Sequence, residues 1–136
     1  MQGVLHYVVR RALLAGVLTN EARPDRDART GFAGDAVDVA MMVAAHRAGL
    51  LDDDHLGEVL ADMPYEPDLG YSQTVRRHGE RTVLYVKGAP EKVLALCCSQ
   101  DGGAPLEADR WHAAVGRAAS AGERVLAVAH PPTWAT

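Results

Sequence analysis

Long apolar runs are missing from this sequence. No stretch approaches the ~20 apolar residues with which a helix spans a bilayer, and Arg10 and Arg11 interrupt the apolar N-terminal segment. Neither a membrane helix nor a secretory leader is expected, and the chain as given reads as soluble, without direct membrane contact. Cysteine is nearly absent too: Cys97 and Cys98 are adjacent and have no distant partner. That excludes a disulfide framework, fits a reducing cytosolic setting, and leaves both as expected buried thiols in a helix. Positive charge is not in excess. A net charge of −4 and an isoelectric point near 5.8, with the arginines scattered, leave no footprint for nucleic acid. There is no Walker A loop, so P-loop chemistry is excluded. The six histidines show no H-x-x-x-H or Cys/His spacing, so no metal site is expected.

What is present suffices for one core. At 136 residues and 48% apolar content, residues 1–136 read as a single domain. A helix is predicted over Val4 to Leu18, followed by a charged, turn-rich surface loop over 20–34 that reads as mobile. Val37, Ala40, Met41, Ala44, Ala45 and Ala48 recur at helical spacing up to a stop at Gly49. A short helix is predicted from Asp53 to Leu60, then strands near 63–66, 72–78 and 81–87, the last two joined by a hairpin at His78-Gly79-Glu80. A helix over 89–98, a Gly102-Gly103 loop, a helix over 107–121 and a strand from Arg124 to His130 complete the pattern. Strands on short turns with helices grouped around them indicate an α+β fold with a mainly antiparallel sheet.

Tyr85-Val86-Lys87-Gly88-Ala89-Pro90-Glu91 is the most informative segment. It places one lysine where an apolar strand turns into a helix beginning at Pro90. Free backbone N–H groups at the helix start, and a glycine without Cβ, suit a phosphate-bearing or otherwise electron-rich ligand. The bland alternative leaves Lys87 pointing into solvent.

The run Lys87-Gly88-Ala89-Pro90-Glu91 resembles the KGAPE signature of the nucleotide-binding (N) domain of P-type cation-transporting ATPases. Three further segments fall in that family's order. Gly34-Asp35-Ala36-Val37-Asp38-Val39-Ala40 is similar to its GD-x-x-E-x-A helix start, Pro64-Tyr65-Glu66-Pro67 to its P-F-[DE]-S strand, and Gly122 to Ala129 to its G-x-R-V-L-A-V-A strand. The resemblance spans nearly the whole chain and implies an antiparallel sheet flanked by helices.

It also implies a nucleotide site made of Asp38, Tyr65, Tyr71, Lys87, Gly88, Ala89 and Arg124. Asp38 stands where the family has a glutamate reaching the adenine end of ATP. Its side chain is one methylene shorter, so its contact could run through water; Asp35 and Asp38 could equally be a capping box with no ligand. Tyr65 matches the aromatic that stacks on adenine. A lone strand aromatic is more often core, yet Pro64 and Pro67 point to an edge strand with an exposed face. Lys87 matches the lysine deep in the adenine pocket, its stem expected to pack on apolar neighbours with the ammonium at the pocket mouth. Arg124, otherwise a solvated charge at a strand end, matches the arginine at the ribose and phosphates. Where many relatives have Arg-Lys, this chain has Leu69-Gly70. A cation lining the pocket is thus missing, and Tyr71 either extends the aromatic wall or stands in a degraded pocket. Arg76, Arg77 and Arg81 read as surface charge.

The family's D-K-T-G-T, T-G-E-S and G-D-G-x-N-D motifs are absent from this sequence. Phosphoryl transfer needs an in-line nucleophile and a metal, so the isolated chain is expected to be catalytically inactive. The resemblance implies the cytoplasmic ATP-binding domain of an integral membrane ion pump, a translocase. Its ligands would be ATP and ADP, with Mg2+ needed only in the full-length pump, and its partner the phosphorylation domain of that pump. The phosphorylation, actuator and transmembrane domains fall outside this sequence. The alternative is a non-catalytic regulatory or interaction module with the same fold and degraded nucleotide binding.

Overall fold

The computed structural model describes residues 2–100 and 103–131. Helix α1 (Gln2–Leu18) leads into a two-stranded ribbon, β1 (Arg23–Pro24) and β2 (Phe32–Ala33), then α2 (Ala36–Arg47) and the short α3 (Asp53–Leu56). Strands β3 (Glu58–Glu66), β4 (Tyr71–His78) and β5 (Arg81–Gly88) follow, then α4 (Pro90–Leu94), α5 (Ala108–Ser120) and β6 (Ala127–Ala129). The main sheet has the order β3-β4-β5-β6 with every pair antiparallel, so the chain is an α+β fold as expected. Among the described residues no helix is long and apolar enough to cross a membrane.

Helix α1 is apolar on two sides because it has two partners. Ala15 and Leu18 pack on Val83 and Tyr85 of β5, while Val17 packs on Ala45 and Leu50 at the α2 end. Burying both stripes joins the sheet to the helical pair through two adjoining clusters, with Leu14 packed against both. Arg76 supports this junction and is not the surface charge expected of it. Its guanidinium donates to Leu18 O at 2.7 Å and Leu56 O at 3.2 Å, the final carbonyls of α1 and α3. A cation there satisfies carbonyls that the helices leave unpaired and complements their dipoles. Arg77 pairs with Glu58 at the exposed surface and Arg81 is exposed, as expected.

Several boundaries differ from the sequence reading. The 20–34 segment is not a plain loop. Asp25 N donates to Gly31 O, and β1 pairs with β2 across that turn, which the charged composition concealed. Helix α3 stops at Leu56 because Gly57 takes φ 66°, and β3 starts at once, five residues earlier than expected. Helix α4 ends at Leu94, so Cys97 and Cys98 lie beyond it, half-buried and exposed, rather than buried in a helix. Strand β6 spans only Ala127–Ala129, leaving Arg124 in the preceding coil. Gly102 of the expected Gly-Gly loop lies outside the described residues.

Candidate functional site

A cleft of about 390 Å³ opens where the end of α1, the start of α2, the Tyr65 end of β3 and the Gly88 end of β5 converge. Strand periodicity decides what enters it. Lys87 is paired with Ser72, Tyr85 with Thr74 and Val83 with Arg76, and since side chains alternate, this set shares the sheet face that α1 covers. Ser72 shows it directly, its hydroxyl lying 3.2 Å from Thr19 O and 3.4 Å from Lys87 O. Tyr71, one residue earlier and paired with Gly88, belongs to the opposite face.

The cleft therefore brings together Asp38, Tyr65, Lys87, Gly88, Ala89 and Arg124 of the sequence-derived set, and leaves Tyr71 out. A one-residue step along a strand reverses the face, so Tyr71 cannot extend an aromatic wall there. Tyr65 lies on edge strand β3 between Pro64 and Pro67 with its side chain half exposed. The β3–β4 register shifts between Met63 and Glu66, where Pro64 has no N–H to give to the ladder.

At the base, Lys87 Nζ lies 2.5 Å from Asp38 Oδ1, and Glu21 N donates to Asp38 Oδ2 at 3.1 Å. Lys87 is only 6% exposed. Its ammonium is thus buried against a carboxylate instead of sitting at the pocket mouth. Asp38 keeps this geometry because α2 is anchored on both sides of it. Asp35 caps the helix, accepting from Val37 N at 3.0 Å and Asp38 N at 3.4 Å, and Asn20 Nδ2 donates to Asp38 O at 3.0 Å. This is a one-way cap and not a capping box, since the Asp38 carboxylate turns to Lys87.

Gly88 is demanded by the sheet itself. A Cβ there would collide with Gly70 O and lie 2.6 Å from Tyr71 Cα, so the β4–β5 approach is possible only for glycine. Nor does the start of α4 form a phosphate cradle: β5 runs through Gly88, Ala89 N donates to Gly70 O at 3.0 Å, Pro90 has no N–H, and α4 is a single short turn. Arg124 stands exposed at the cleft rim and has no ion-pair partner among the described residues.

The sequence reading missed Thr19, Glu21, Ser72, Val125 and Leu126, which also line the cleft. Ser72 was recoverable from hairpin register, since a turn at Gly79-Glu80 places it opposite Lys87. Glu21 had no local signal, being one acid in a charged segment. Its Oε1 accepts from Tyr65 N at 3.2 Å, which ties the segment after α1 to the edge strand. Thr19 Oγ1 is buried without a hydrogen-bond partner among the described residues.

Comparison with known proteins fits this arrangement. Residues 8–134 match the family model described as P-type ATPase, cytoplasmic domain N. Two curated proteins of Mycobacterium tuberculosis are similar. "Probable cation-transporting ATPase F" is 38% identical over 127 residues, covering 88% of this chain and 14% of that protein, and "Probable cation-transporting ATPase I" is 38% identical over 104 residues, covering 73% and 6%. "Calcium-transporting ATPase 1" of Schizosaccharomyces pombe is 27% identical over 103 residues, covering 69% of this chain and 12% of that protein. The chain thus spans a small part of the length of these relatives. With the family model covering almost all of the sequence, and its sheet, helices and cleft in place, the chain belongs to the P-type ATPase cytoplasmic domain N family.

Proposed function

We propose that this chain binds the adenosine end of ATP in the cleft and presents the γ-phosphate to an aspartate on another domain of a larger cation-transporting pump. The observation that carries this reading is the placement of Tyr65, an aromatic ring half exposed on the wall of a cleft that has Lys87 at its base. A purine stacked on that ring would gain about 1–3 kcal/mol. The size and charge of the cleft favour the nucleoside over the phosphates. At about 390 Å³ it sits near the lower end of small-molecule sites. Lys87 and Asp38 offset one another, Glu21 and Asp35 add negative charge, and Arg124 alone stands on the rim as a further cation of the lining. A polyphosphate buried there would meet carboxylates, whereas one projecting past the rim would meet Arg124 and then solvent.

Phosphoryl transfer then becomes a matter of positioning, with closure onto a phosphorylation domain aligning donor and acceptor. Mg2+ and the phosphorylated aspartate belong to that full-length pump, and the chain by itself is not a hydrolase. The second reading is a regulatory module of the same fold with degraded binding. It is favoured by the Asp38–Lys87 pair, which engages both charged groups at the base of the cleft.

Titration with nucleotides, followed by backbone amide shifts, tests the proposal. Adenosine has about 19 heavy atoms, and at roughly −0.3 kcal/mol per atom its affinity is bounded near −6 kcal/mol, a Kd in the tens of micromolar. With the pocket cation missing at Gly70, sub-millimolar to millimolar binding is expected. ATP, ADP and AMP should bind within about tenfold of one another, GTP more weakly, and magnesium should matter little. If several millimolar ATP moves no resonance around Lys87 or Tyr65, the regulatory reading prevails.

A further inference from the structure

The seam between α1 and β5 has two ends, and the cleft described above occupies only one. Alternation along β5 puts Arg81, Val83, Tyr85 and Lys87 on the face that α1 covers. On α1, Tyr7, Arg11, Leu14 and Leu18 recur at three- and four-residue steps and share one helix face. Lys87 closes the seam at the cleft. At the opposite end a separate cavity of about 170 Å³ is lined by Arg11, Arg81, Tyr7, Tyr85 and His130, together with apolar members of the two stripes. Two guanidiniums enter it, and its lining among the described residues includes no Asp or Glu, although the chain carries a net charge of −4.

Neighbours orient the first of these cations. Arg11 Nη2 lies 2.6 Å from His130 Nε2, and its guanidinium carbon lies 5.4 Å from the centroid of the Tyr7 ring. His130 Nδ1 is 2.7 Å from Pro131 O. A carbonyl only accepts, so Nδ1 carries the proton, and Nε2 accepts from a guanidinium that stays charged. Arg81 is exposed at the cavity and makes no hydrogen bond or ion pair among the described residues. Burial pushes the Tyr85 phenol above its usual value, and the charges of Arg81, Arg11 and Arg76 oppose that rise, so their fields converge on its hydroxyl. Guanidinium forks present paired N–H donors that match the oxygens of a phosphate group. The cavity is smaller than the usual small-molecule site, which suits a compact oxyanion better than a whole nucleotide. We propose that it is a phosphate-group site in which the oxyanion bridges the Arg11 and Arg81 guanidiniums. The inference is independent of the nucleotide reading above, because the two cavities share no lining residue.

The test titrates the full chain with inorganic phosphate, and separately with glycerol phosphate, against sodium chloride of matched ionic strength, and follows backbone amide shifts. Phosphate should saturate shifts at Leu14, Arg81 and Val83 with a Kd of roughly millimolar order, and chloride should not. Saturation by both phosphates marks a site for phosphate monoesters, and saturation by inorganic phosphate alone marks a site for the free ion; either supports the assignment. Arg81→Gln removes one charge at an exposed position and should weaken phosphate binding about fivefold or more with an unchanged circular dichroism spectrum. Arg77→Gln, an exposed arginine of β4 outside the cavity, should leave it within about twofold. Shifts that chloride reproduces, shifts confined to the cleft around Lys87 and Arg124, or equal affinities in the Arg81→Gln and Arg77→Gln chains overturn the assignment.

Discussion

Asp38 and Lys87, 49 residues apart in sequence, meet as an ion pair at 2.5 Å with side chains only 12% and 8% exposed. The first turn of α2 is thereby joined to the last turn-proximal residues of β5 beneath the cleft. Coulombic attraction between buried charges offsets their lost hydration only while both partners remain, so such a pair contributes little net stability yet is costly to break from one side.

Lys87→Ala should accordingly destabilise the fold, since it leaves the Asp38 carboxylate buried with the Glu21 amide as its remaining side-chain-directed donor. A loss of about 3–5 kcal/mol is expected in urea denaturation. Replacing both residues together, Lys87→Met with Asp38→Leu, should recover most of it, and Lys92→Ala, at an exposed position of α4, should stay within about 0.5 kcal/mol of the parent. A Lys87→Ala protein as stable as the Lys92→Ala control would show that the pair is open to water. Any loss of nucleotide affinity in Lys87→Ala has to be read against this stability change.

The two tyrosines test the face assignment. Tyr65→Leu should weaken ATP binding by about 1–3 kcal/mol through lost stacking. Tyr71→Leu, on the opposite face of the sheet, should leave affinity within about twofold, a change near 0.4 kcal/mol. Fluorescence or calorimetric titration of the two variants suffices, and equal losses would contradict the register-based placement.

Stability should also carry a signature of His78. Burial pushes its pKa below 6.5, helped by the charges of Arg76, Arg81 and His55 and opposed by the backbone carbonyl of Asp54, and its Nε2 lies 3.0 Å from the Tyr85 hydroxyl. The folded protein therefore prefers the neutral ring, and between the folded pKa and 6.5 the unfolded chain binds more protons. The resulting stabilisation is fully present above about pH 6.5 and declines as pH falls towards the folded-state value. The advantage in Tm of the parent over His78→Gln should be larger at pH 7.5 than at pH 5.5. A difference that is the same at both would show that the ring titrates alike in the folded and unfolded chain.

Much of the fold was legible in the sequence because its signals are local. Helical spacing from Val37 to Ala48 and the Gly49 stop specify α2, and the short turn at Gly79-Glu80 specifies the β4–β5 hairpin whose register follows. The motif around Lys87 supplies four residues of the cleft lining, Lys87, Gly88, Ala89 and Pro90. Where local signals were weak the reading slipped. Apolar propensity continued the helix after Pro90 to Cys98, whereas it ends at Leu94 with Ala95 as its C-cap.

What the sequence by itself determined, then, was the order and kind of most elements and the identity of six residues that line the cleft, since periodicity, turn chemistry and short motifs act over a few neighbours. Tertiary structure alone decided how those residues are used. It turned Lys87 inward onto Asp38, placed Ser72 and not Tyr71 on the cleft side, made Gly88 a requirement of strand approach, and brought Glu21 from a charged segment to the amide of Tyr65, 44 residues away. Each of these depends on distances between segments remote in sequence, and such distances arise only when the helices and the sheet bury their apolar faces against one another.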